Sequence, residues 1–251
     1  MKKRAYRIGQ IVPSSNITME TEVPLMLSRA VVSDDVIFTF HSSRAPMKNV
    51  SAPELAAMNG HMERCARELS DARMDIVASA CLVAIMSQGA GYHRKTQAEL
   101  EAVCHVEAPD TQVITSAGAL VDSLKAIGVK RVSFITPYMK NLTDLVAGYI
   151  ENEGIKVKDT ISLEIPNNLE VGAQDPKNLI EIVKRLDTSE VDAVVLSACV
   201  QMPSLSALAE VQKNFGVPVL STAAATVFQI LKALKLPTVV PDAGGLLSGK
   251  Y

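Results

Sequence analysis

Two matching tripeptides, Ser79-Ala80-Cys81 and Ser197-Ala198-Cys199, each close an apolar run that opens on an aspartate, Asp75 in one case and Asp192 in the other. Such a run followed by a loop reads as a parallel strand buried on both faces. Each half of the chain therefore presents one thiol just past a strand end. A lone unpaired cysteine there is usually a small buried hydrophobe. Two at equivalent positions of a repeat are a chemical arrangement: if the halves face each other, the sulfurs meet across a cleft, where a thiolate can act as nucleophile.

The other two cysteines, Cys65 and Cys104, have packing explanations. Cys65 belongs to the series Leu55, Met58, Met62, Cys65, Leu69, the buried stripe of a helix starting near Pro53. Cys104 ends the helical stretch that begins at Thr96. No CxxC pair or metal-ligand spacing links any of the four, so they are expected to be thiols in a reducing compartment.

The duplication extends beyond the thiols and constrains the whole architecture. Arg7-Ile8-Gly9-Gln10-Ile11-Val12-Pro13 matches Arg131-Val132-Ser133-Phe134-Ile135-Thr136-Pro137, and Asn16-Ile17-Thr18 matches Asn141-Leu142-Thr143. A third match pairs the segment from Val113 to Ala119 with that from Val219 to Ala225. The first half is the longer between its cysteine and its Thr-Ser, where Gln88 to Arg94 reads as an inserted loop near the cleft, able to serve as a lid.

Strand and helix patterns alternate throughout. Strands are predicted near 7–12, 35–41, 75–80, 111–115, 131–136, 156–164, 192–198 and 217–221. Helices are predicted near 17–30, 53–71, 95–104, 117–127, 141–153, 176–187, 204–214 and 223–234. The fold class is α/β: two pseudo-symmetric lobes, each a four-stranded parallel sheet flanked by helices, with the active site in the cleft between them. Residues 1–116 plus 226–251 form the lobe carrying Cys81, and 117–225 the lobe carrying Cys199.

Composition agrees. Forty-eight per cent of residues are apolar and tryptophan is absent, which gives an aliphatic core. The net charge is −2 with Lys and Arg interspersed, which argues against a nucleic-acid face. The start, from Met1 to Ile8, is basic but lacks the apolar stretch of a signal peptide, and nothing approaches a membrane span. A soluble cytoplasmic protein is expected.

Ligands of open parallel sheets bind outside the carboxyl ends of the strands. Placed there are Pro13 to Asn16, His41 to Arg44, Cys81 to Val83 and Thr115-Ser116 in one lobe, and Pro137-Tyr138, Pro166 to Asn168, Cys199 to Gln201 and Ser221-Thr222 in the other. Small hydroxyls, amides and thiols beside helix starts suit a carboxylate, because helix N-termini carry orphan N–H donors and positive partial charge. The expected ligand is a small acid.

These residues resemble the Asp/Glu racemase superfamily and, within it, the maleate cis-trans isomerases. The resemblance spans essentially the whole chain. Its most specific pieces are Pro13 to Asn16, Ala80 to Ala84 with Gly91 to Arg94, Pro137-Tyr138, Asn168 to Gly172 and Ser197 to Pro203. Amino-acid racemases of the superfamily usually carry Cys-Asn-Thr after the first thiol and Thr-His after the second. Here Cys81 is followed by Leu82-Val83 and Cys199 by Val200-Gln201. Arylmalonate decarboxylases keep only the second cysteine.

The resemblance implies cofactor-independent isomerisation of maleate to fumarate. A thiolate adds to the double bond, the resulting single bond rotates, and elimination follows. It implies Cys81 as nucleophile and Cys199 as acid/base partner. Asn16, Tyr138 and Asn168 would hold the substrate carboxylates with the backbone amides of Leu82, Val83 and Val200. A cytoplasmic homodimer serving nicotinate breakdown is implied as well. No metal, organic cofactor, nucleic acid or membrane partner is expected. The alternatives are a racemase or decarboxylase of a small carboxylic acid, and a non-catalytic small-acid binding protein.

Several residues carry a second reading. Asn16 suits a helix cap, Asn168 a turn, and Tyr138 a rim aromatic that steadies the loop after Pro137. His41 ends a strand, and His61 and His105 read as helix-surface or terminal residues. The tail from Gly244 to Tyr251 approaches a phosphate-binding loop, but Tyr251 stands where Ser or Thr is required and no helix can follow. It reads as a mobile or packing tail.

Overall fold

The computed structural model describes residues 4–251; Met1 to Lys3, the first part of the basic start, lie outside the described residues. The first half of the chain runs β1 (Arg4–Pro13), α1 (Met19–Ser28), β2 (Val36–Ala45), α2 (Ala52–Asn59), α3 (Met62–Ser70), β3 (Ile76–Ser79), α4 (Leu82–Met86), α5 (Tyr92–Cys104), β4 (Gln112–Thr115) and α6 (Ser116–Ala126). The second runs β5 (Arg131–Thr136), α7 (Lys140–Asn152), β6 (Lys156–Ser162), α8 (Asn168–Gly172), α9 (Asn178–Ile182), β7 (Ala193–Ser197), α10 (Leu205–Gln212), β8 (Val219–Ser221) and α11 (Thr222–Ala233).

The strands form two four-stranded parallel sheets of identical order, β2-β1-β3-β4 and β6-β5-β7-β8. In each, the strand before the cysteine is wholly buried, Ile76–Ser79 in one lobe and Ala193–Ser197 in the other. Covering helices on both faces require such continuous apolar runs. The last strands end alike: the Thr115 hydroxyl accepts from Gly118 N at 3.0 Å to cap α6, and the Ser221 hydroxyl accepts from Ala224 N at 3.2 Å to cap α11. This order places the topological switch between the two central strands, β1 and β3 in one sheet and β5 and β7 in the other. The loops leaving those strands carry Asn16, Cys81, Tyr138 and Cys199.

The lobes are interlocked. α11 follows the last strand of the second sheet yet packs on α1, α6, β3 and β4. Beyond it Val239 bridges Ser248, and Leu246 and Leu247 are fully buried in a short 3-10 turn, so the glycine-rich tail is packing structure.

Some boundaries differ from the pattern reading. The helix predicted over 53–71 divides at Gly60 and His61 into α2, which packs on α4, and α3, which packs on α5 and β2. One apolar periodicity served two helices with different neighbours. The helix predicted over 176–187 is α9 followed by the 3-10 turn Val183–Arg185. Helices α4 and α8, five residues each, are too short for periodicity to reveal. The proposed lid is a correction. Tyr92 to Arg94 form the first turn of α5, and His93 is buried. Gly89 and Gly91, at φ 114° and 68°, supply the left-handed conformations that turn the chain from α4 into α5.

Candidate active site

Cys81 stands at the N-cap of α4 with extended backbone, and its peptide bond to Ala80 is cis. Its sulfur accepts from the amides of Val83 and Ala84. Cys199 repeats the device: its sulfur accepts from Gln201 N at 3.3 Å and from the Met202 amide. Each thiol thus rests on the second and third amides after it, although the first is followed by a helix and the second by a turn. Hydroxyls shape the bends. Ser79 Oγ donates to Ala80 O at 3.3 Å, and Ser197 Oγ to Cys199 O at 2.9 Å.

The two sulfurs share one electrostatic environment. Burial pushes the Cys81 thiol up to about 12, and the neighbouring Cys199 adds to the rise, partly offset by the two amides. Burial likewise raises Cys199, opposed by the Tyr138 hydroxyl and its own amides. The Tyr138 phenol is in turn raised, by burial first and then by both cysteines. Cys81, Cys199 and Tyr138 therefore converge on one dry point where a charge lacks water to stabilise it. At neutral pH both free thiols are protonated. The Tyr138 hydroxyl is buried and makes no hydrogen bond of normal geometry, although it stands close enough to stabilise a Cys199 thiolate.

Asn16 serves two ends at once. Its Oδ1 accepts from Met19 N at 3.0 Å, capping α1, while its buried Nδ2 has no partner. Asn168 sits at the start of α8, its Nδ2 donating to Ser15 Oγ at 2.8 Å across the lobe boundary. The turn itself is held by Asn167, whose Oδ1 accepts from Leu169 N and Glu170 N. The side chains of Leu82, Val83 and Val200 are buried. The amides of Leu82 and Val200 find no acceptor among the described residues, whereas that of Val83 is occupied by Cys81.

The loops that carry the thiols and their neighbours thus hold several unpaired donors: Asn16 Nδ2, the Tyr138 hydroxyl and two backbone amides. Buried donors without partners are costly, and a ligand rich in acceptor oxygens would satisfy them. Carboxylates meet that description. The nearby guanidinium of Arg44 is engaged, donating to Ser14 O and Asn16 O and pairing with Glu20.

The site is closed. Cys81 and Cys199 are 7% and 5% exposed, and cavities of about 480 and 530 Å3 elsewhere on the molecule reach neither. Residues 47–50 lie against 166–168: Asn49 bridges Asn167, Val50 N donates to Pro166 O at 3.2 Å, and Asn168 N to Lys48 O at 3.3 Å.

Sequence reasoning missed three further groups. Gln201 is buried and hydrogen-bonds to the loops carrying Asn16 and Asn168. Glu22 of α1 accepts from Ser204 N and Leu205 N, both at 2.7 Å, and from the Ser204 hydroxyl, so it caps α10 in the opposite lobe. Glu153 pairs with Arg94 and Lys125, while His93 Nδ1 meets the Tyr149 hydroxyl at 2.5 Å, joining α5 to the end of α7. A matching tripeptide flags a duplicated thiol, but nothing local in sequence flags a side chain whose partners lie 28 to 186 residues away.

Cys65 and Cys104 are fully buried on α3 and α5, away from the pair, and burial pushes Cys104 up to about 11. His61 precedes α3, His105 follows α5, and His41 lies within β2. Among the described residues no cluster of three or more His, Cys, Asp or Glu is placed to hold a metal ion, and no helix is long and apolar enough to cross a membrane.

A family described as arylmalonate decarboxylase matches residues 8–247. A maleate isomerase of Geobacillus stearothermophilus is 59% identical to this chain over 98% of both. Among solved structures, a cysteine-to-alanine form of the maleate isomerase Iso from Pseudomonas putida with maleate superposes with a TM-score of 0.96, at 55% identity over 99% of both chains. A cysteine-to-serine mutant of the Nocardia farcinica maleate cis-trans isomerase, with a covalently bound succinylcysteine intermediate, gives 0.94 at 42% identity over 99% of this chain and 100% of that one.

Proposed function

The chain belongs to the family described as arylmalonate decarboxylase and, within it, to the maleate isomerases, and on that premise we propose that Cys81 and Cys199 are its working pair. The protein is an isomerase, and its reaction is the cis-trans conversion of maleate to fumarate by thiolate addition, rotation and elimination.

The Cys81 thiol first gives up its proton to solvent, and the resulting thiolate adds to C2 of maleate, forming the C–S bond while the alkene electron pair moves to C3 and its carboxylate. The Cys199 thiol delivers its proton to C3, leaving a succinyl thioether on Cys81 and a thiolate at Cys199. The C2–C3 bond, now single, turns by half a revolution. Cys199 then takes a proton back from C3, the C–S bond breaks, and fumarate leaves with Cys81 again a thiolate. Atoms and charge balance, and no step calls for a metal or organic cofactor.

Asn16, Tyr138 and Asn168, with the amides of Leu82 and Val200, hold the two carboxylates, while the Val83 amide, expected from the sequence to join them, serves the Cys81 sulfur instead. Donors fixed before reaction stabilise the enediolate as charge develops on it. Protonated thiols also favour binding, since a resting thiolate would repel a dianion in so dry a site. The observation that supports these roles is that the two buried sulfurs influence each other electrostatically and that each accepts from the second and third amides after it.

The test is maleate consumption and fumarate formation followed by NMR for the unmodified protein and for Cys81→Ser and Cys199→Ser. Full turnover by Cys81→Ser would sink the assignment. Two further readouts address the alternatives: solvent deuterium exchange at the α-carbon of a chiral amino or hydroxy acid offered in place of maleate would point to racemase chemistry, and carbon dioxide release to decarboxylation.

We also propose that 1–116 with 226–251, and 117–225, are the two lobes; the packing of α11 on α1, β3 and β4 supports returning the chain's end to the first. A cytoplasmic homodimer acting in nicotinate breakdown, with no nucleic-acid or membrane partner, completes the reading. Its support is the resemblance, the near-neutral charge and the prevalence of symmetric dimers.

A further inference from the structure

Gln201 is 2% exposed, and both ends of its amide are fully used. Nε2 donates to Ser15 O at 3.0 Å and to Asn168 O at 2.9 Å, while Oε1 accepts from Ile17 N at 3.1 Å and Thr18 N at 3.4 Å. The orientation is fixed by chemistry, because a flipped amide would set its oxygen against two carbonyls and its nitrogen against two N–H groups. Its own backbone N–H donates to the Cys199 sulfur. The niche is cut to fit: a Cβ on Gly172 would lie 2.5 Å from Nε2.

One side chain therefore grips the backbone on either side of Asn16, the carbonyl of Asn168 and, through its main chain, Cys199. We propose that Gln201 is a positioning residue that registers the two asparagine anchors, one from each lobe, against the Cys199 thiol, so that a four-carbon diacid is held by both carboxylates at once. This rests on the maleate isomerase reading above. Neither Glu nor a hydrocarbon can replace the amide, since two buried carbonyls need donors and two amides need an acceptor. A displacement of about 1 Å in such a site can cost roughly 100-fold.

The test compares Gln201→Glu, Gln201→Met and Gly172→Ala with the unmodified protein. The measurements are KM and kcat for maleate, and the rate at which iodoacetamide alkylates Cys81 and Cys199, read by peptide mass spectrometry well below the melting temperature. The expected result is a KM raised about tenfold or more, a smaller fall in kcat, and faster alkylation of both site thiols with no change at Cys65. A merely structural role would lower the melting temperature and leave KM and labelling unmoved, and that result would overturn the proposal. If the Gln201 variants fail to fold, Gly172→Ala decides alone, since it crowds the amide without removing a hydrogen-bonding group. The unmodified protein and Cys81→Ser run alongside. Absence of isomerisation in the first, or its persistence in the second, would strike the underlying reading, whereas normal controls with an unchanged KM in the variants would strike only the role of Gln201.

Discussion

The two thiol-bearing half-sites began as copies and now differ in what surrounds each sulfur. Both cysteines lie two residues past the third strand of their sheet's chain order, and both accept from the second and third following amides. After Cys81 comes α4, five buried apolar residues, and the hydrogen bonds to the sulfur come from backbone amides alone. After Cys199 comes a turn built around Gln201, with the Tyr138 hydroxyl beside the sulfur. The anion at Cys81 thus relies on amides alone, whereas at Cys199 it gains a phenol. Duplication supplied two equivalent thiols, and the neighbours divide the labour between nucleophile and proton carrier.

Breaking that comparison has its largest effect at the sulfurs. Cys81→Ser is expected to lower turnover by about a thousandfold or more, because a serine hydroxyl lacks the thiol's nucleophilicity at neutral pH. Cys199→Ser should lose turnover too, but by a different route. With its nucleophile intact it should accumulate a succinyl adduct on Cys81, visible by intact-protein mass spectrometry. If the adduct instead formed on the remaining thiol of Cys81→Ser, the roles would be reversed. Tyr138→Phe comes next. Losing one preorganised donor costs about 10²–10³ in kcat in comparable sites, and stopped assays of fumarate formation would read it. An effect under about threefold would return Tyr138 to the role of a rim aromatic.

The pH profile sharpens the comparison further. Burial raises both thiols, so the anionic fraction is small near neutrality and grows as pH rises. With Cys81 at about 12, kcat/KM should climb between pH 7 and 9, approaching about tenfold per unit. A flat profile over that range would mean that the reactive thiol of the free protein does not ionise above it, against the rise that burial gives Cys81.

Duplicated features were legible in sequence and single long-range contacts were not. The strands around Cys81 and Cys199, their parallel order and the residues at the switch loops follow from apolar runs and matched segments. The Gln88 to Arg94 segment was misread because glycines and a histidine in an apparent insertion look like a mobile loop. In the structure His93 is instead locked by Tyr149, a partner 56 residues away. Glu22 was invisible for the same reason: a glutamate in the first turn of α1 looks like a surface residue until α10, from the other lobe, is laid across it.

Those two seams pose the smallest and most discriminating comparison. Each lobe lends the other a carboxylate, Glu22 to the helix after Cys199 and Glu153 to the helix after α4, yet the two are stabilised oppositely. The Arg94 guanidinium, aided by Lys125, holds Glu153 down at about 2, so its contribution is full above about 4.5 and is lost as pH falls through about 2. Glu153→Gln should cost about 2 kcal/mol at pH 7, discounted for the exposure of both cations, and the difference from the unmodified protein should vanish in strong acid. Burial outweighs the amides of Leu205 and Ser204 at Glu22 and raises its pKa, so the folded protein favours the protonated form there. That contribution is present below the ordinary carboxylate range and fades as pH rises through the raised value. Glu22→Gln keeps one oxygen for the α10 amides without the buried charge, so it should be destabilising by less than Glu153→Gln at pH 7 and more nearly neutral at pH 8 than at pH 4. Melting temperatures of the two variants across that range would decide the matter, and parallel pH dependences would show that the two seams share one electrostatic design.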